Sequence, residues 1–335
     1  MSGLDPFDVD EEETLEKLER LWAAFEAASS EASRYAGSLG WKTNSGQEYL
    51  THTVNLRYEG NRQRTRSLGP RSKETERRKS EFDTGREQAR AELDRIQARL
   101  DTHARVLKAL RIGRVHAVTA RFLRELRGEG FGAEHFRIGG AAALSAYEVR
   151  SRVRMPIAEE GDADFDLLPT ELFVRDRQLF EAIASRKIFG PVEVDGDRMA
   201  LGRGVLFRLL SSDTADEWTR SLCRARAADE EIEAMRWAFE VPAGLPMVAA
   251  GVDGTPAPIP ALDPRAFAIL ALVEVRYFAG RSGAVRLAAQ AAAAAGIAAE
   301  VAPEPFERGH LALFPEIAGA IEGGGHDDDR NMMRP

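Results

Sequence analysis

Apolar residues recur at three- and four-residue steps through Leu15, Leu18, Leu21, Trp22, Phe25 and Ala28. That spacing predicts an amphipathic helix over 11–36. The pattern changes after Gly37. Asn44-Ser45-Gly46 and Glu59-Gly60-Asn61 are turn signals. Between them Tyr49, Thr51, Thr53, Asn55 and Arg57 alternate with Leu50, Val54, Leu56 and Tyr58. A small antiparallel meander or hairpin over 37–70 is expected. Ser72, with Thr75 and Glu76, then offers a hydroxyl to the free amides of a helix start. The stripe Phe82, Ala89, Leu93, Ile96, Leu100, Ala104, Leu107, Leu110 carries that helix to about Leu110 near heptad spacing. Such a helix serves as an arm, packing on the chain's own helices or forming a homodimer through 72–110.

From 113 to about 215 short apolar runs alternate with helical patterns. The expectation is a helix over 115–128, a strand over 135–138, a glycine turn at Gly139-Gly140 and a helix over 141–150. A second strand over 163–168, a helix over 172–184 and strands over 192–194 and 205–210 follow. After a strand region near 247–260, helices return, with Asp263-Pro264 as a cap followed by a first-turn proline. Ala288–Ala295 is nearly all alanine around Gln290, a strong helix former. The tail from Gly323 has no periodicity and reads as disordered. The chain is therefore expected to be α+β. Its parts are an N-terminal helix, hairpin and long arm (1–112), an α/β core (113–227), a C-terminal helical domain (228–322) and a tail (323–335).

Composition changes this picture in two places. The chain has 335 residues and a net charge of −8. Its acidic start is neither a secretory signal nor a transit peptide, and no run is long and apolar enough for a membrane helix. A cytoplasmic protein with no membrane partner is expected. A single cysteine, Cys223, excludes an internal disulfide framework and a thiolate zinc cluster. The average charge also hides a basic stretch. Between Arg57 and Lys79 nine basic residues face three acids. Lys42, Arg62, Arg64, Arg66 and Arg71 are the positions expected to contact phosphate or nucleic acid. The competing reading is a solvated hairpin rim.

The chemistry is concentrated in Ile138–Arg150 (IGGAAALSAYEVR) and Gly161–Leu168 (GDADFDLL). A strand ending at two glycines and running straight into a helix aims free backbone amides at whatever sits above the turn, and glycine lets a phosphate approach them. Asp162, Asp164 and Asp166 alternate, so on a strand they share a face. Hard carboxylate oxygens on one face hold Mg²⁺ or Mn²⁺, which can activate a hydroxyl and stabilise departing pyrophosphate. Asp162 and Asp164 are the catalytic and metal candidates, Asp166 is a further metal candidate, and Gly139 and Gly140 are the nucleotide-binding candidates. A solvated strand end or helix cap is the alternative for the aspartates. Tyr147 and Glu148 read as packing and surface, and His116 and His135 as structural. Trp41 beside Lys42 reads as an anchor of the hairpin or as a base-stacking platform.

These segments resemble the DNA polymerase β-like nucleotidyltransferase superfamily, and within it bacterial nucleotidyltransferase-domain proteins with an N-terminal extension. The resemblance is carried by GSLGWK with GQEYL (37–50), RSLGPRSKETE (66–76), LRIGRVH (110–116), GGAAALSAYE (139–148), GDADFDLL (161–168) and DPRAFAI with Gln290-Ala291 (263–291). It implies a nucleotidyltransferase-like core that uses Mg²⁺ and an NTP. The acceptor is open among a protein, an RNA end and a small molecule. By this resemblance Gly139 and Gly140 match the glycine turn, and Asp162 and Asp164 the metal-binding aspartates. Several positions depart from it. Arg208 stands where a third carboxylate is expected, Leu270-Ala271 where histidine-lysine is common, Leu287 in a stretch expected to be basic, and Glu160 where threonine is usual. Asp166, which faces the same way as Asp162 and Asp164, is one candidate to replace that third acid, and Asp195 and Asp197, on an expected turn, are others. The implied function is nucleotidyl transfer. The alternatives are a degenerate member that binds nucleotide, nucleic acid or a protein partner, and a helical scaffold built on the long arm.

Overall fold

A computed structural model describes residues 5–56, 62–156, 170–174, 192–195, 198–201, 205–210, 212–240, 246–278, 281–302 and 304–324. The fold is α+β, as expected. It divides into two compact units, one spanning 17–103 and the other formed by 1–16 with 104–335.

In the 17–103 unit, helix α1 (Val9–Arg34) leads into strands β1 (Ser38–Asn44), β2 (Gln47–Leu56) and β3 (Arg62–Pro70). The strands form one antiparallel sheet in the order β1-β2-β3. Leu39 and Leu50 are buried from it, as are Leu18, Leu21 and Trp22 of α1. Helix α2 (Lys73–Leu110) follows. Its start is capped as the sequence indicates. Ser72 Oγ accepts from the Thr75 amide at 3.3 Å, and Thr75 Oγ1 accepts from the Ser72 amide at 2.8 Å. Phe82 on α2 meets the rings of Tyr35 and His52 edge-on.

The second unit begins its core with α3 (Ala117–Gly128), whose first turn is capped by His116 Nδ1, accepting from the Val118 amide at 3.2 Å. His135 Nδ1 accepts from the Gly132 amide, so both histidines have structural roles. Next come β4 (Phe136–Gly139), α4 (Gly140–Ser151), β5 (Thr170–Val174), β6 (Val192–Asp195), β7 (Arg198–Leu201) and β8 (Val205–Leu210). These strands make a five-stranded sheet in the order β4-β5-β8-β7-β6, mixed because only β5 and β8 run parallel. Helices α5 (Ser212–Ala225) and α6 (Asp229–Glu240), hairpin strands β9 (Met247–Ala250) and β10 (Pro256–Ile259), and helices α7 (Pro264–Tyr277), α8 (Arg281–Val301), α9 (Arg308–Leu313) and α10 (Pro315–Gly324) complete it.

The core of this unit is α4. Every residue from Ala142 to Val149 is buried. The alanine helix α8 packs against it, and Ala291, Ala294 and Ala295 of α8 are buried. The hairpin turn after β9 is also tight. Gly254 has φ +82, and a Cβ there would lie 1.9 Å from the Ala104 carbonyl oxygen.

Two expectations need correcting, and others lie outside the described residues. The helix expected over 172–184 is not one at its start, because Leu172–Val174 belong to β5. Leu172, Phe173 and Val174 are paired in register with β4, which favours an extended chain there. Helix α10 also continues to Gly324, two residues into the expected tail. The strand expected over 163–168, with Asp162, Asp164 and Asp166, lies outside the described residues, as do Asp197 and 325–335.

Candidate active site

The glycine turn sits where the sequence puts it. Gly139 ends β4 and caps α4. Gly140 opens the helix at φ +66, in the left-handed region that favours glycine. The turn is held on both sides. On one side Gly139 pairs with Glu171 of β5. On the other, the Ile138 amide donates to the Pro260 carbonyl at 2.8 Å, and the Leu262 amide donates to the Ile138 carbonyl at 2.8 Å.

Tyr147 reinforces this from inside α4. Its hydroxyl donates to the Leu262 carbonyl at 2.5 Å. Burial, and secondarily the nearby Asp263, push the phenol well above its ordinary range, so it stays protonated and a donor. Asp263 in turn caps α7 through the Arg265 amide at 2.9 Å. The Arg265 guanidinium folds back on the same carboxylate at 2.8–3.0 Å and lies over the Trp237 ring. The Asp-Pro-Arg segment is thus a buried helix start, nine-tenths or more hidden from solvent at both charged residues.

Glu148 corrects the sequence reading, which put it at the surface. It is 3% exposed. It pairs with Arg114 and accepts from the Met155 amide at 2.8 Å. Burial outweighs these partners and pushes its carboxyl up to about 7. Arg114 also donates to the Met155 carbonyl at 3.1 Å, and Gln290 Nε2 donates to the Pro156 carbonyl at 2.9 Å. Three side chains from three segments therefore fix Met155-Pro156, where the chain leaves α4 toward the aspartate-rich stretch.

The sheet aligns further residues with the turn. Gly139, Glu171, Arg208 and Arg198 occupy one row across β4, β5, β8 and β7. Glu171 stands at the register position between the glycine turn and Arg208. Sequence reasoning missed it, since Thr170–Val174 carried no strand signal distinct from the helix expected there. Asp195 ends β6, on the far edge of the same sheet.

A small cavity of about 40 Å³ opens against Gly140. Its walls are Phe173 of β5, Leu210 of β8, Trp218 of α5, Leu270 and Ala271 of α7, and Leu287 of α8, with Glu274 its single ionisable lining residue. Leu270, Ala271 and Leu287 are positions where the resemblance leads one to expect polar or basic side chains and the chain has apolar ones. Leu270 and Ala271 are neighbours on α7, Leu287 comes from α8, and the three meet here. The wall they make is apolar.

The family model described as nucleotidyltransferase matches residues 117–309, more than half of the chain. The chain belongs to the nucleotidyltransferase family. The matched nucleotidyltransferase domain runs from α3 to the start of α9 and contains the glycine turn, the Asp162–Asp166 stretch and the cavity. Comparison with curated proteins and with solved structures gives no match.

Other expected site residues fall elsewhere. Lys42 is exposed on β1, and Arg64 and Arg66 are exposed on β3, with Arg62 at the start of that strand. Arg71 is engaged within its own unit. It pairs with Glu48 and Glu76 at 2.7 Å each and lies over the Trp41 ring at 5.1 Å. Cys223 is exposed on α5. Among the described residues no group of three or more His, Cys, Asp or Glu side chains could hold a metal ion, and no helix is long and apolar enough to cross a membrane.

Proposed function

We propose that this nucleotidyltransferase domain transfers a nucleotidyl group from an NTP to an acceptor hydroxyl, in the manner of the polymerase β-like superfamily. The observation that carries the reading is the Gly139-Gly140 turn at the head of buried α4, inside a family domain that also contains Asp162, Asp164 and Asp166. The donor set suits Mg²⁺ or Mn²⁺, since three carboxylates offer hard oxygens and no soft ligand. Asp162 and Asp164 would hold the ion, with Asp166 beside them. Such an ion supplies charge neutralisation at the phosphates and lowers the pKa of an attacking hydroxyl.

The rest falls to the chain's own groups. The free amides of the first turn of α4 bind the triphosphate, aided by the helix dipole. The absence of a Cβ at Gly139 and Gly140 lets the phosphates reach those amides. The acceptor oxygen attacks the α-phosphorus in line, its bond to phosphorus forms as the bond to the bridging oxygen breaks, and pyrophosphate leaves. The test is NTP binding by titration calorimetry with and without Mg²⁺. Wild-type protein should bind in a Mg²⁺-dependent way, and Asp162→Ala with Asp164→Ala should abolish that dependence. Equal Mg²⁺-dependent binding by the double variant would sink the reading.

The cavity favours a second reading. Its apolar wall at Leu270, Ala271 and Leu287 lies beside the turn that would take the phosphates. A catalytically degenerate member of the family would keep the fold and bind a nucleotide or a partner without transfer. Nucleotide binding with no label transferred to any acceptor in a cell extract would select it.

A further inference from the structure

The three strands of the 17–103 unit carry four basic residues, Lys42, Arg62, Arg64 and Arg66, and one acid, Glu48. That acid is already neutralised by Arg71 at 2.7 Å. Three of the four bases lie on β3, which is an edge strand of its sheet among the described residues. An edge strand leaves every second amide without a partner in its sheet. Arg66 pairs across from His52 and Arg64 from Val54, so both point to one face, and Arg62 is the next register position on that face. Thr65 and Ser67 alternate with them on the other face, opposite Thr53 and Thr51. Arg64, Thr65, Arg66 and Ser67 are all exposed.

We infer that the β3 edge is a docking surface for a single-stranded nucleic acid, held through its phosphates. Charge and spacing both argue for that occupant. Arginines two residues apart on a strand stand about 6.8 Å apart, matching the separation of successive phosphates along an extended single strand. Guanidinium groups donate in a fork that suits phosphate oxygens. The outward amides of the edge add neutral donors along the same line. A second copy of this chain is a poor occupant, because pairing two arginine-rich edges sets like charges opposite one another.

The experiment uses the full chain and a fluorescein-labelled oligouridine, read by anisotropy at two salt concentrations. Three phosphate contacts on a single strand give a log–log salt slope of about −2, or about a 20-fold loss of affinity between roughly 50 and 200 mM salt. The variant Arg64→Glu with Arg66→Glu should lose at least about 10-fold in affinity at the lower salt. Arg64→Lys with Arg66→Lys should retain most of it, as should Arg220→Glu with Arg224→Glu on exposed positions of α5. Circular dichroism establishes that each variant is folded. The inference is overturned by a wild-type chain that does not bind the oligouridine. It is equally overturned if the β3 glutamate variant binds as tightly, or if the α5 variant loses as much. A wild-type dimer that those β3 glutamates dissociate, with no binding of the oligouridine, would assign the edge to self-association instead and also overturn it.

Discussion

Replacing Glu148 by glutamine separates the two forces acting on that carboxyl. In the native protein burial pushes its pKa from 4.5 up to about 7, against the pull of Arg114 and the Met155 amide. At about 1.4 kcal/mol per pK unit, the shift corresponds to about 3 kcal/mol. The sign follows from proton binding. The folded state holds this proton more tightly than the unfolded chain, so between about pH 4.5 and 7 it binds more protons. The stability this group contributes is fully present below the unfolded pKa and is lost as pH rises through the folded one. Glutamine keeps the shape and can still accept from the Met155 amide, but it does not titrate. Urea unfolding of both proteins at pH 4.5 and pH 8 gives four free energies. All other titrations are common to both proteins and cancel in the difference. Wild-type stability relative to Glu148→Gln should fall by about 3 kcal/mol from the lower to the higher pH. A difference that does not change with pH would refute the reasoning. It would mean that Arg114 fully compensates the burial and that Glu148 is ionised throughout.

Arg265→Ala should cost about 3–5 kcal/mol, because it leaves the Asp263 carboxylate buried without its ion-pair partner; thermal unfolding measures it. Gln290→Ala should cost about 1–3 kcal/mol by stranding the Pro156 carbonyl, and Gln290→Glu should not restore it, since an ionised carboxylate cannot donate. Gly254→Ala should lower the melting temperature more than Gly46→Ala. Both have positive φ, but only at Gly254 does the new Cβ meet a backbone oxygen at 1.9 Å.

Local signals made much of the fold legible. The Ser72 cap and the heptad stripe placed α2 within a residue of its ends, and the glycines fixed the β4–α4 turn. Leu172–Val174 was misread because its apolar spacing suits a helix face as well as a strand. Only the pairing of Leu172 and Phe173 with β4 and β8 decides between them. Glu148 was misread for a related reason. On a helix it is one polar position among many, and the arginine that draws it inward lies 34 residues earlier. The apolar wall beside Gly140 could not be seen as one surface. Leu270, Ala271 and Leu287 stood out singly as departures, and only the packing of α7 and α8 brings them to the same cavity. Gln290 and the Asp-Pro-Arg segment were legible as motifs. Their work in the structure is to fix backbone near the site.

Nucleotidyl transfer is read by following the label of the α-phosphorus. The full chain is incubated with Mg²⁺, an NTP labelled at the α-phosphorus and a cell extract stripped of endogenous nucleotide. Wild-type protein should leave label on an acceptor and release pyrophosphate, and Asp162→Ala combined with Asp164→Ala should do neither. Label incorporated equally by both proteins, or by neither, contradicts the proposed transfer.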